Sequence, residues 1–419
     1  MKRVLKVFLI IIIILATIIG VFLSAAFLTL NIEINKDKFE LSAKKDMPVS
    51  EYDKNGSDWG HNQSKLASIG DVIFTFHFDN SNLANGNSSD TNPYYVNFIM
   101  IVDKEEYQFG IGNANRPGNV LADEVNNKVY YILSEPAGPA SNDGYDFSSF
   151  SQTVMYEYDF NVDTLEIILN EKHIVTPVSS DGKIRQGVDM DDSGNIAIAY
   201  GKYGGEMIIY TYNYSLRTFS EYTYQSNNDG DNLMYCNVAM LDLDHIYILA
   251  EQDTSIEDQT FYQYVMFFAL EEGVWSSEII VDYRDSDLAD KHSEIVINSD
   301  IEIFDGVVHM AATSQLAKEV TYYTYELGEL IEQDTDYLPK GTGNIKFIEI
   351  DGELFIATMS FTLRAFLPTF SITSVSEENI VYKMILVVNN RYFYVDVLND
   401  NSVTLLIYSN SKGRLYTLE

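Results

Sequence analysis

Three oxygen-bearing side chains at alternate positions could bind a calcium ion. Asp189, Asp191 and Ser193 are followed by a glycine and, two residues later, an isoleucine, which matches positions 1, 3, 5, 6 and 8 of a calcium-binding loop. The twelfth position of such a loop supplies a bidentate glutamate, but here it is Tyr200. We therefore predict at most a weak calcium site. The alternative is a polar turn between two strands, where Asp, Ser, Gly and Asn are common.

Other ionisable residues lack the spacing of a known catalytic or metal site. The six histidines are scattered, and the sequence has no His-Glu-x-x-His motif, no serine nucleophile elbow and no phosphate-binding glycine loop. The acidic clusters are interpreted either as solvated loops or as a negative field that attracts cations or a basic partner. These clusters are Asp229-Gly230-Asp231, Asp282/Asp285/Asp287/Asp290 and Glu332/Asp334/Asp336.

Tyrosines and arginines offer two further kinds of binding surface. Tyrosine pairs could form a flat platform for a carbohydrate or a peptide, although most tyrosines in alternating strands pack inside a fold. The densest groups are Tyr94-Tyr95, Tyr322-Tyr323 and Tyr392-Phe393-Tyr394. Arginines could bind a substrate carboxylate if the fold brings them together. The candidates are Arg116, Arg185, Arg217, Arg284 and Arg364.

A recurring strand–turn–strand unit is expected to position these residues. Each copy has an apolar strand, a tight acidic or Asn/Gly turn, and a second strand that ends in small residues. The clearest copies are 188–199, 240–250, 301–311 and 348–357, and weaker ones turn at Asn126-Asn127 and Asn389-Asn390. The six turns are spaced by about 53 residues on average, close to the length of a four-stranded propeller blade with some long loops.

This pattern resembles the β-propeller superfamily in architecture only. The resemblance covers residues 67–419, for which it implies an all-β propeller of six or seven blades. Recurring Gly-His and Trp-Asp pairs, which mark WD40 repeats, are not present, so no specific family is indicated. Two β-sandwich domains are the alternative fold.

The N-terminus predicts a membrane segment. Lys2, Arg3 and Lys6 precede an uninterrupted apolar run from Val7 to Leu30, which is about 36 Å long as a helix and sufficient to cross a bilayer. The basic residues favour a cytoplasmic N-terminus and an exported C-terminal part. We predict a transmembrane anchor over residues 1–30; the alternative is a signal peptide cleaved near Ser24-Ala25-Ala26. Residues 31–66 are polar and are predicted to form a linker.

Charge and cysteine content limit the possible partners. The chain of 419 residues carries 62 Asp+Glu against 27 Lys+Arg, a formal charge of -35. Because nucleic acids bind through Lys and Arg, a nucleic-acid partner is excluded. The single cysteine, Cys236, excludes internal disulfides and is expected to be buried as a small apolar residue.

Together these features predict a single-pass protein of the cell membrane with an extracellular domain, or a secreted protein if the signal is cleaved. We expect it to bind a protein, peptide or glycan without catalysis and without a cofactor, apart from the weak calcium candidate. The alternative function is an exported hydrolase or lyase that uses the central funnel of a propeller. Acids and arginines that converge in the funnel would favour the enzyme, and an apolar or tyrosine-lined funnel the binding protein.

Overall fold

The structure is a computed structural model of the 419-residue chain. It describes residues 32–47, 62, 64–79, 94–103, 105–114, 118–136, 151–177, 186–202, 205–225, 233–256, 259–282, 297–314, 320–339, 341–360, 368–386, 393–398, 401–409 and 412–419.

The described strands form seven antiparallel sheets, so the fold is a seven-bladed β-propeller. Blade 1 contains β3 (Ala67–Ile69), β4 (Val72–Asp79), β5 (Tyr94–Val102) and β6 (Glu105–Ala114). Blade 2 contains β7 (Asn119–Asp123), β8 (Lys128–Pro136), β9 (Ser151–Asn161) and β10 (Glu166–Ile174). Blade 3 contains β11 (Gly187–Met190), β12 (Ile196–Gly201), β13 (Glu206–Asn213) and β14 (Thr218–Gln225), and blade 4 contains β15 (Leu233–Asp242), β16 (His245–Ile256), β17 (Gln259–Glu271) and β18 (Val274–Asp282). Blade 5 contains β19 (Ile297–Phe304), β20 (Val307–Ser314), β21 (Val320–Glu326) and β22 (Glu329–Glu332). Blade 6 contains β23 (Thr342–Ile350), β24 (Glu353–Ser360), β25 (Thr369–Ser374) and β26 (Asn379–Ile385). Blade 7 contains β27 (Phe393–Val397), β28 (Val403–Ser409) and β29 (Lys412–Leu418).

The predicted strand–turn–strand unit is the inner hairpin of a blade. Asp305-Gly306 and Asp351-Gly352 form two of its turns, and all four residues have positive φ, as a two-residue hairpin turn requires. Five of the six predicted turns are inner hairpins. The sixth, Asn389-Asn390, lies outside the described residues, between the last strand of blade 6 and the first strand of blade 7.

The seven inner strands close into a ring, which excludes the alternative of two β-sandwiches. Contacts run from each inner strand to the next and return from β27 to β3. The core lies between neighbouring blades, where alternating aromatic and β-branched residues of adjacent sheets interlock. Between blades 1 and 2, for example, the rings of Phe98 and Tyr131 stack at 4.0 Å. The strongly buried aromatic residues therefore hold blades together.

The predicted linker over residues 31–66 is wrong for residues 32–47, which form two strands. β1 (Ile32–Lys36) adds a fifth strand to the outer edge of blade 6, and β2 (Leu41–Met47) completes blade 7 by pairing with β29. These strands were missed because they are polar: they lie at the outer edge of the ring, where one face meets solvent. Between them, Phe39 is buried and packs edge-on against Phe355.

The predicted membrane segment, Val7–Leu30, lies outside the described residues. Among the residues that the structure describes, no helix is long and apolar enough to span a bilayer.

The connections at the two ends of the ring differ in length. At one end, called here the turn end, strands are joined by short turns within hairpins, such as 305–306 and 351–352. All the long connections join strands at the other end, called here the loop end; the longest join β2 to β3, β4 to β5, β8 to β9 and β18 to β19.

Candidate functional site

The inner strands surround a cavity of about 170 Å3 on the central axis. Its polar lining combines two lysines, two acids, two asparagines, a serine and a tyrosine, and its apolar lining consists mainly of branched aliphatic residues. The polar residues are Asn62, Ser64, Lys65, Asn237, Asp300, Glu302, Lys346 and Tyr394. They come from the inner strands of four blades and from the segment that leads into blade 1.

Asn62 crosses the axis at the loop end. Its side-chain amide donates hydrogen bonds to the carbonyl oxygens of Cys236, at 2.8 Å, and Gln186, at 3.3 Å. Asn62 therefore links the segment that leads into blade 1 to blades 3 and 4. Lys65, which follows shortly, is fully buried, and its Nζ lies 4.5 Å from the centre of the Tyr394 ring. A cation above an aromatic ring is stabilised by the ring quadrupole.

Two acids on inner strands bond to the next blade. Asp300 accepts a hydrogen bond from the backbone N–H of Phe347 at 2.7 Å and from Nζ of Lys346 at 2.6 Å. Asp189 accepts one from the backbone N–H of Met240 at 2.7 Å. Burial raises the pKa of both carboxyls, that of Asp189 to about 7, although these hydrogen bonds act in the opposite direction. The two acids therefore connect blades across the channel wall.

Glu302 differs from these acids because its partners do not compensate its charge. Its Oε1 accepts a 3.1 Å hydrogen bond from the backbone N–H of Ile303. Burial, followed by the negative charges of Asp189 and Asp300, raises the pKa of Glu302 to about 8. At neutral pH its carboxyl therefore holds a proton for most of the time and can donate a hydrogen bond into the cavity.

The residues of the calcium candidate have separate roles in the structure. Asp191 caps its own turn: it accepts hydrogen bonds from the backbone N–H groups of Ser193 and Asn195 and from the Asn195 amide, at 2.7–2.9 Å. Asp189 is bonded to Met240, and Ser193 is exposed. Calcium binding by Asp189, Asp191 and Ser193 stays a prediction.

The cap made by Asp191 recurs in a neighbouring blade. Asp123 accepts hydrogen bonds from the backbone N–H of Asn126 at 2.9 Å and from its amide at 2.7 Å. The two turns are in contact: a Cβ on Gly194, whose φ is +80°, would come within 2.6 Å of Asp123 Oδ2. The polar pattern at Asp191 thus has a structural role between blades 2 and 3.

An ionic network centred on Glu157 was not predicted from the sequence. This fully buried carboxylate accepts hydrogen bonds from Lys128, His173 and Arg217 at 2.9 Å. Burial alone would raise its pKa, but these hydrogen bonds hold it well below its usual range. Among the described residues, Glu157, Glu171 and His173 form a group that could hold a metal ion, because their ligand atoms lie within 4.8 Å of one another. Because two fixed cations already neutralise Glu157, the network is better suited to joining strands than to binding a metal.

The other predicted residues are partly placed. Cys236 is buried, as predicted. Burial raises the pKa of its thiol to about 12, so the thiol is unreactive. Tyr322 is buried beside His309, and burial lowers the pKa of His309 to about 4. Tyr394, in contrast, lines the axial cavity. Arg217 belongs to the Glu157 network. The other four candidate arginines lie outside the described residues.

Solved structures with a similar fold are found at low sequence identity. No family model and no curated protein matches the sequence. The polysaccharide lyase Uly1 is 9% identical, with a TM-score of 0.51 over 90% of this chain and 99% of that one. The β-propeller domain of the Trilobed protease from Pyrococcus furiosus, with an open velcro topology, is 10% identical, with a TM-score of 0.43 over 85% and 92%. The WD40 domain of Toxoplasma gondii coronin is 9% identical, with a TM-score of 0.46 over 92% and 87%. At such identities, the likeness concerns the fold alone.

Proposed function

We propose that this protein is a binding protein held in the cell membrane by its N-terminal segment, with the propeller outside the cell, and that it performs no catalysis. The observation that carries the proposal is the axial cavity, which combines buried polar and charged groups with an aromatic ring at the loop end of a rigid ring. Of the two acids that line it, Asp300 connects blades through Lys346 and Phe347 rather than standing free for proton transfer.

The size and lining of the cavity limit what can enter. About 170 Å3 is smaller than the roughly 300–1,000 Å3 of a pocket that encloses a whole drug-sized ligand. A single polar side chain or one sugar fits these dimensions. Lys65, Glu302 and Tyr394 offer a cation, a hydrogen-bond donor and an aromatic surface. We therefore propose that the ligand is a peptide or glycan, of which one polar group enters the cavity.

Binding tests this proposal through two cavity variants and one control. A panel of peptides and glycans is screened by calorimetry against the parent, Glu302→Gln, Tyr394→Phe and Glu278→Gln. Glu278 is exposed on the outermost strand of blade 4, far from the axis. We expect the ligand found with the parent to bind the two cavity variants at least about tenfold more weakly and the control equally. Equal binding by all four proteins would place the ligand elsewhere.

An exported hydrolase or lyase is the second candidate, and the state of Glu302 favours it. A carboxyl that holds its proton to about pH 8 is suited to general-acid catalysis. Incubation with polysaccharides and peptides, followed by chromatography of the products, tests this function. Turnover by the parent and by Glu278→Gln, but not by Glu302→Gln, would establish the enzyme in place of the binding protein.

A further inference from the structure

The first strand of the chain begins at the loop end of blade 6. In the pairing of β1 with β26, Ile32 lies opposite Ile385, and β1 then runs towards the turn end. Ile385 is the last residue of β26, and the chain continues from it into a connection at the loop end. The polypeptide therefore enters the propeller at the loop end, on the outer edge of blade 6.

The position of β1 limits how far the propeller can be from the proposed anchor, on which this inference rests. The apolar run ends at Leu30, and β1 starts at Ile32, so one residue separates them. An extended chain spans at most about 3.6 Å per residue. The loop end of blade 6 must then lie within about 8 Å of the end of the membrane segment. The linker predicted over residues 31–66 would have allowed any orientation of the propeller relative to the membrane.

Charge on blade 6 favours the same orientation. All five acids of the described part of strands β23 to β26 and their turns lie near the turn end: Glu349, Asp351, Glu353, Glu377 and Glu378. Lys38 pairs with Glu353 and Glu377, which leaves the turn end acidic through Glu349, Asp351 and Glu378. The described loop-end half of β23 to β26 has no acid; it carries Lys383, and Lys346, which is paired with Asp300. Anionic lipid headgroups repel acidic surfaces. Anionic headgroups therefore repel the turn end of blade 6 more strongly than its loop end.

We infer that the propeller lies with the loop end of blade 6 towards the lipid headgroups of the membrane that anchors the chain, and with its turn end away from them.

Quenching by labelled lipids tests the orientation. The full chain is reconstituted into phosphatidylcholine vesicles that contain a quencher on the headgroups, and a fluorophore is attached to single cysteines. Ile34→Cys reports on the loop-end half of blade 6, Glu377→Cys on its turn end, and Leu216→Cys on the turn end of blade 3 across the ring; the native side chains at all three positions are exposed. Cys236 is fully buried, so the parent measures background labelling.

We expect quenching at Ile34→Cys to be at least threefold stronger than at the two turn-end positions. The strand from Asn379 to Ile385 alone spans about 20 Å, more than contact quenching can reach. Equal quenching, or stronger quenching at Glu377→Cys, would overturn the orientation. Melting curves of the variants check that each one is folded.

A second measurement separates the orientation from the anchor. N-terminal sequencing of the native protein shows whether residues 1–30 are retained. A chain that starts near Ala25 to Phe27 has no anchor, which overturns both proposals. A retained segment with the opposite quenching order would overturn the orientation and leave the anchor in place.

Discussion

Asp189 on the inner strand of blade 3 accepts a 2.7 Å hydrogen bond from the backbone N–H of Met240 on the inner strand of blade 4. The same relationship joins Asp300 of blade 5 to Phe347 of blade 6. Neighbouring blades of a propeller share no backbone ladder, so their inner strands leave polar groups that side chains must satisfy. Here buried acids do so, although burial disfavours their charged form.

Substitution of Asp189 should distinguish its hydrogen bond from its charge. Asp189→Asn keeps an acceptor for Met240, so we expect little change in the free energy of unfolding at pH 7. Asp189→Ala leaves a buried N–H without its partner and should lower that free energy by about 1–3 kcal/mol. Urea denaturation measures both values. Equal losses in the two variants would show that the hydrogen bond contributes nothing.

Stability should increase as the pH falls from 8 to about 5. Burial raises the pKa of Glu302 to about 8 and that of Asp396 to about 6. Between about pH 4 and these values, the folded state binds protons that the unfolded state has lost, so acidification favours folding. We expect a gain of about 1–3 kcal/mol in the free energy of unfolding, measured by urea denaturation across the pH range.

The gain should end below about pH 4.5. Hydrogen bonds from Lys38 and Ser374 lower the pKa of Glu353 to about 2. The ionised Glu353 therefore stabilises the folded state above about pH 4.5, and this contribution is lost as the pH falls towards 2. Glu302→Gln should remove part of the change above pH 7, whereas Glu278→Gln should leave it intact. A flat profile between pH 6 and 8 would contradict the raised pKa values.

The Glu157 network should stabilise blade 2 strongly. Glu157→Gln removes the buried carboxylate that pairs with Lys128, which keeps only the exposed Asp159, and we expect a loss of about 1–3 kcal/mol in the free energy of unfolding. Glu171 contacts the same Arg217 but is exposed, so Glu171→Gln should lose less than about 1 kcal/mol. Chemical denaturation compares the two variants. Losses of similar size would mean that burial of the pair is unimportant.

The two N-terminal strands should differ in importance. A chain that starts at residue 37 lacks β1 but leaves blade 6 with four strands, and we expect it to fold with a loss of about 1–2 kcal/mol. A chain that starts at residue 48 also lacks β2, which leaves blade 7 with three strands and an open edge. We expect that chain to aggregate. Gel filtration and melting curves report both results; a stable monomer that starts at residue 48 would contradict the role of β2.

Calcium should raise the melting temperature slightly if the predicted site exists. Asp191→Ala removes a predicted ligand and the cap of a turn, whereas Asp123→Ala removes the same kind of cap in blade 2. At fixed ionic strength and a few millimolar calcium, we expect a small shift in the parent and in Asp123→Ala, but none in Asp191→Ala. Absence of a calcium-specific shift in the parent would exclude the site.

The sequence predicts the inner hairpins because their signals are local. Asp305-Gly306 between two apolar strands indicates a hairpin without reference to the rest of the chain. β1 and β2 carry no such signal. Asn35 donates a hydrogen bond to a carbonyl 345 residues away, and Ser42 to one 375 residues away. A polar strand at the outer edge of a ring is specified by its distant partner, so local patterns could not predict it.

The functional residues were harder to predict for a similar reason. Glu302 and Tyr394 lie on two different blades and Lys65 lies just before a third, so the three residues meet only when the ring closes. Glu157 did leave a signal: it occupies the middle of an alternating strand that is buried on both faces, where an acid requires a cationic partner. The sequence of that strand could not reveal that the partners would be Lys128 and Arg217.

The pairing of β2 with β29 also determines when the protein can be completed during its synthesis. β2 is made early but must wait for β29, its pairing partner, and Glu40 exchanges two backbone hydrogen bonds with Glu419. At roughly 5–20 residues per second, the intervening residues take roughly 20–75 s to translate. Until then, β2 presents an unpaired edge. Blade 7 therefore cannot be completed until residues 412–418 have been made.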